Sequence, residues 1–243
     1  MQRPPPATPQ APSPAPLPFN AISPVVIVLA LVMAGIELAF MLGTAGLAGG
    51  PGAIGWRMAA LQDWGFSPLI QEQVAVGNLS LPLLRRFVTY GFVHGSFTHA
   101  LFAVAMLLAL GKFVGDLFRP WAVLAVFLAG LVAGAVVFAL VMPAQRLLFG
   151  AYPGVYALIG AFTWILYARL GARGMGRAPA FRLIGFLLVL QLVFAAIGPV
   201  IGGTGFDLSF LAELAGFAAG FALSVVVSPG GFRALQTRLR ARD

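Results

Sequence analysis

Two histidines, His94 and His99, supply all the imidazole in this chain. Two carboxylates, Glu37 and Glu213, lie well inside long apolar runs. Hydrolytic chemistry by a serine requires the hydroxyl within hydrogen-bond reach of a base. Neither the run around 150–170 nor the run around 207–228 holds a histidine, and the first of them holds no serine, only Thr163 deep inside it. Cysteine is absent, which excludes thiol chemistry and disulfides. Ionisable groups inside membrane helices are functional candidates by default. Glu213 is therefore expected to be neutral or paired with His94, His99 or Tyr152; a hydrogen bond from Tyr152 would join the two runs. Glu37 either faces other helices and pairs with an Arg or His, or lies at an interface. A metal site of His94, His99 and Glu213 is disfavoured. Their five-residue spacing does not put the histidines on one helix face, as an i,i+4 pair would be. No metal or cofactor is expected.

The elements that hold these residues must be membrane helices. The chain is 60% hydrophobic and 9% charged over 243 residues, against about a quarter charged in soluble domains. Lipid leaves backbone groups no partner outside the helix, and a span takes roughly 20 apolar residues. Six runs qualify, at about 23–48, 87–115, 121–143, 150–170, 181–201 and 207–228. His94 and His99 fall on the second, Tyr152 on the fourth and Glu213 on the sixth. The fold class is thus an all-α polytopic membrane protein of six spans. Residues 1–22 are rich in Pro and Ala and read as a disordered tail. The long run that follows reads as an anchor rather than a cleaved signal. Residues 23–228 form the membrane domain and 229–243 a basic tail. The connection from 49 to 86 carries Trp56 and Trp64 and should lie along the membrane interface.

Net charge is +8, but the basic residues sit in short connections between apolar runs. They fit lipid headgroups rather than nucleic acid. With the N-terminus cytoplasmic, 11 Lys and Arg fall on that side and 4 on the other, so both termini are expected inside. Only Lys112 is lysine, a bias that suggests a GC-rich bacterial source and an inner-membrane location. Gly216 and Gly220 on the sixth run, and Gly130 and Gly134 on the third, are spaced for close helix packing, within the chain rather than between copies.

Three stretches resemble a known family. Arg86-Phe-Val-Thr89 followed by His94 and His99 is similar to the second helix of rhomboid intramembrane proteases. Gly150-Ala-Tyr-Pro-Gly154 resembles the family's Gly-x-Ser-Gly. Ala212-Glu-Leu-Ala-Gly216 through Gly220 resembles its Ala-His-x-x-Gly-x-x-x-Gly. The family's nucleophilic serine then falls on Tyr152, the glycine after it on Pro153, its base histidine on Glu213, and an oxyanion-supporting asparagine on Ala103. His94 keeps the place of an oxyanion-region histidine. The resemblance implies a rhomboid-like bundle without its Ser–His dyad, a pseudoprotease that binds transmembrane helices of client membrane proteins for quality control, assembly or trafficking. An active serine endopeptidase is the alternative, and a small transporter or ion pathway the third reading.

Overall fold

The computed structural model describes residues 22–202 and 207–230, with backbone alone for 198–202. The Pro-rich tail and most of the basic tail lie outside the described residues. Among the described residues ten α-helices follow in order: α1 (Pro24–Thr44), α2 (Trp56–Trp64), α3 (Pro68–Ala75), α4 (Leu81–Leu84), α5 (Arg86–Thr89), α6 (Phe97–Gly115), α7 (Pro120–Val141), α8 (Tyr152–Ala172), α9 (Arg182–Gly202) and α10 (Phe210–Val227). Six of them, α1 and α6 to α10, are long and apolar enough to cross a membrane. No strand occurs among the described residues; one isolated bridge joins Phe66 and Leu148. The all-α six-span architecture expected from the sequence is the one observed.

Helix starts follow local chemistry. Proline opens α1 and α7 and is the second residue of α8, positions where its missing N–H costs nothing. The second span begins ten residues later than expected. The chain forms the short helix α5, a 3₁₀ turn at Tyr90–Phe92 and an extended Val93 before α6 starts at Phe97. Two contacts cause the break. The Ser96 hydroxyl accepts from the His99 N–H at 3.2 Å and caps a new helix, as N-cap serines do. The His94 carbonyl is taken by the Arg57 guanidinium instead of a helical N–H.

The core is built around α8, half of whose apolar window is buried, the largest share of any span. Its neighbours α7 and α10 reach its backbone through glycines. A methyl on Gly216 would overlap the Pro153 carbonyl oxygen, and one on Gly220 the Ala157 carbonyl oxygen. From the other side, a methyl on Gly130 would meet Pro153 oxygen and Ala157 Cβ, and one on Gly134 the Pro153 ring. The glycine pairs thus serve packing within the chain. At the end where α6, α8 and α10 begin, the 45–96 connection is tied to the α7–α8 loop by two bridge hydrogen bonds, Phe66 N–H to Leu148 (3.0 Å) and Leu148 N–H to Phe66 (2.7 Å).

Close backbone contact leaves no room for repacking, and overpacking costs about 1–3 kcal/mol. Gly220→Ala should therefore lower unfolding free energy in mild detergent by at least about 1 kcal/mol. Gly185→Ala on α9, where an added methyl meets nothing within 4 Å, should be neutral or slightly stabilising. Equal effects at the two positions would contradict the packing.

Candidate functional site

Three residues at the head of α8, Gly150, Ala151 and Tyr152, set the site. Gly150 has φ +93°, and a Cβ there would press on the His99 ring at 2.6 Å. Both facts demand glycine, and the positive φ keeps α8 from starting before Tyr152. Its N–H donates to the Tyr90 carbonyl at 2.8 Å, and the buried Tyr90 hydroxyl donates to the Leu131 carbonyl of α7 at 2.7 Å. The next N–H, of Ala151, donates to His94 Nε2 at 3.3 Å. Tyr152 then lays its ring on His99, with centroids 5.0 Å apart and planes 16° apart. His99 meets His94 edge-on at 5.1 Å and Phe149 at 5.9 Å. The sequence spacing of five residues had separated the two histidines. The break ahead of α6 brings their rings together.

His94 is 1% exposed. Its Nε2 accepts, which assigns the proton to Nδ1, and the ring also hydrogen bonds the Phe92 backbone. Burial holds this imidazole down to about 4 from its ordinary 6.5, with His99 and Arg57 pushing the same way. Its carbonyl accepts from Arg57 Nη1 at 2.8 Å. The same guanidinium makes a two-pronged pair with Glu37, at 2.9 Å (Nη1 to Oε2) and 2.6 Å (Nη2 to Oε1), and lies over the Phe40 ring at 5.0 Å. Glu37 is thereby placed: it faces inward at 5% exposure and is neutralised by Arg57 of α2. A chain of contacts runs from the middle of α1 through α2 to the first N–H groups of α8.

Glu213 sits in the first turn of α10. Its partners differ from those expected. The Gln191 amide of α9 donates to it, and the Tyr156 hydroxyl lies within hydrogen-bond reach. Tyr152 is instead committed to His99. The reason is helical geometry: Tyr156 follows Tyr152 by one turn on the same face and lies deeper, while the stack turns the Tyr152 ring toward α6. A cavity of about 650 Å³ opens beside this cluster, walled by His99, Tyr152, Pro153 and Glu213, with Ser209 and the Arg146–Asp207 ion pair (3.0 Å) toward its mouth. Gly216 and Gly220 lie behind it, pressed on α8. Ala103 is fully buried in the core and is not among the cavity walls.

Arg57, Tyr156 and Gln191 escaped the sequence reading. Gln191 was visible as a lone amide in the apolar run from Leu183 to Ile197, and Tyr156 by its four-residue spacing from Tyr152. Nothing local marks Arg57.

Chemically, the cluster offers acceptors and aromatic faces. A hydroxyl donates to an imidazole nitrogen near the plane of that ring, whereas the Tyr152 ring lies face-on above His99. No group of three side chains suited to a metal occurs among the described residues.

The fold and cavity define a polytopic helical membrane protein with a polar cluster at one end of a glycine-packed trio of spans. A rhomboid-domain sequence profile matches residues 83–230, more than half of the chain. The chain belongs to the rhomboid family. It is similar to mouse Rhomboid-related protein 2, with 29% identity over 148 residues, 58% of this chain and 47% of that protein. The chain thus spans about half the length of this curated relative.

Two outcomes follow. The depressed His94 matters only below its unfolded value. Above pH 6.5 both states hold a neutral ring; as pH falls from 6.5 to about 4, the unfolded chain binds a proton that the native site refuses. Stability should drop across that window by up to about 3 kcal/mol and level off below it. His94→Gln should flatten the slope in unfolding titrations. Separately, Arg57→Leu leaves Glu37 buried and unpaired, and should cost about 3 kcal/mol. The double variant Glu37→Leu/Arg57→Leu should recover most of that loss in the same assay. A double variant as unstable as the single one contradicts the pairing.

Proposed function

We propose that this chain is a rhomboid-family protein without peptidase activity that binds transmembrane segments of client membrane proteins. The observation that carries the reading is the occupancy of the dyad positions at the cavity beside the heads of α8 and α10. The family's serine position is Tyr152, stacked on His99, and its histidine position is Glu213, bonded to Gln191. A nucleophile beside its base is what acyl transfer needs, and the stack supplies none. The same residues wall a cavity of mixed polar and apolar lining, and Glu213 on its wall meets α9 through Gln191, an arrangement suited to a helix carrying polar groups. Pro153 in place of a glycine stiffens the head of α8, as suits a fixed binding surface. On this reading the protein sits in a bacterial inner membrane with both termini cytoplasmic, and its role is quality control, assembly or trafficking of its clients.

One observation supports a second reading, an active endopeptidase. Ser209 and His99 wall the same cavity, so a serine hydroxyl and an imidazole share one space.

The test combines a cleavage assay with covalent labelling. Purified wild type in proteoliposomes should leave a single-span rhomboid substrate intact and take up no fluorophosphonate probe. Wild-type cleavage that disappears in Ser209→Ala or in Tyr152→Phe would overturn the proposal. Reintroducing a dyad as Tyr152→Ser/Glu213→His should not restore cleavage to a family enzyme's rate, because Ala103 and Pro153 remain.

A further inference from the structure

The contact between Gln191 and Glu213 points to what the cavity selects. It rests on the client-binding reading above and names the chemistry of the client.

The fifth span, α9, is the least buried of the six: 17% of its apolar window is buried, against 22–50% for the others. Phe186 and Phe194 on it are 64% and 66% exposed. Gln191 interrupts an otherwise apolar stretch, and its amide donates to Glu213 across the α9–α10 boundary. A weakly packed helix is thus fastened to a cavity wall by a side-chain donor. That is the interaction an incoming helix would make.

Glu213 has room for such a partner. Ionised or protonated, a carboxyl group offers more than two lone-pair sites; Gln191 and Tyr156 take two. The residue is only partly buried and walls the cavity beside Tyr152 and His99. It lies three residues into α10, about 5 Å along the axis from its first residue. In hydrocarbon, an open acceptor gains most from a donor carried on another helix.

We propose that the cavity selects transmembrane helices carrying an amide or basic side chain about one turn inside the end at which α8 and α10 begin. That side chain hydrogen bonds Glu213 and takes the place of Gln191. In this account Gln191 is an internal competitor for the Glu213 acceptor, which an apolar helix cannot displace.

The test uses the full chain in phosphatidylcholine vesicles, whose headgroup has no N–H donor that could fill the site. Fluorescently labelled single-span leucine–alanine peptides report binding by energy transfer. One peptide is wholly apolar, one carries a Gln one turn from the matching end, and one carries it at mid-span. The end-placed Gln peptide should bind roughly tenfold more tightly than the apolar one, the worth of an interhelical hydrogen bond. The mid-span peptide should match the apolar one. Glu213→Leu should erase the preference, and Gln191→Leu should enhance capture of the end-placed Gln peptide alone. If Glu213→Leu does not fold, Gln191→Leu carries the test. Equal binding of all three peptides overturns the selectivity while leaving helix binding intact. Binding of none overturns both. Unchanged capture by Gln191→Leu overturns the competition.

Discussion

The Pro153 carbonyl is approached from both sides, and the structure depends on that double approach. Gly216 of α10 and Gly130 of α7 come against the same oxygen, and one turn on Gly220 and Gly130 bracket Ala157. Membrane helices lack a hydrophobic drive toward one another, so close van der Waals contact and polar links must hold them. The glycines supply the contact. They fix α8 between its neighbours, and so fix where its first residues point. Tyr152, Pro153 and the N–H of Ala151 are aimed by this packing.

From that fixed head of α8, polar links extend outward. Ala151 engages His94, whose carbonyl holds Arg57, which neutralises Glu37 on α1. An ionised group in the middle of a span is costly unless paired. Arg57 reaches Glu37 from the short helix α2, so the cation that neutralises this carboxylate comes from outside the six spans. The connection between α1 and α6 is thereby part of the bundle. On the other side of the cavity, Glu213 links α8 and α10 to the loosely packed α9. One end of the site is packed backbone to backbone through glycines, and at the other the least buried span, α9, meets Glu213 through the Gln191 amide. That asymmetry is what a cavity receiving a helix from the lipid requires.

The apolar runs made the six spans legible, because hydrocarbon imposes length and helicity together. The glycine spacings on the third and sixth runs also translated directly into contacts. The break before α6 did not, since Phe-Val-His-Gly-Ser-Phe has similar hydropathy whether helical or kinked. The residue that draws the His94 carbonyl away, Arg57, lies 37 positions upstream. Glu37 could not be placed for the same reason. The expected Tyr152–Glu213 bond was replaced by Tyr152 on His99 and Tyr156 near Glu213. One sequence cannot decide which of two tyrosines a turn apart reaches a carboxyl on another helix; the tilt of α8 against α10 decides it.

The central claim is that the cleft holds intact helices and does not cut them. Photocrosslinking from a benzoylphenylalanine placed at Tyr152, in native membranes, addresses it directly. The account predicts adducts whose partner is a full-length membrane-spanning protein, identified by mass. Adducts consisting of fragments that end within a transmembrane segment would show cleavage at the site and contradict it.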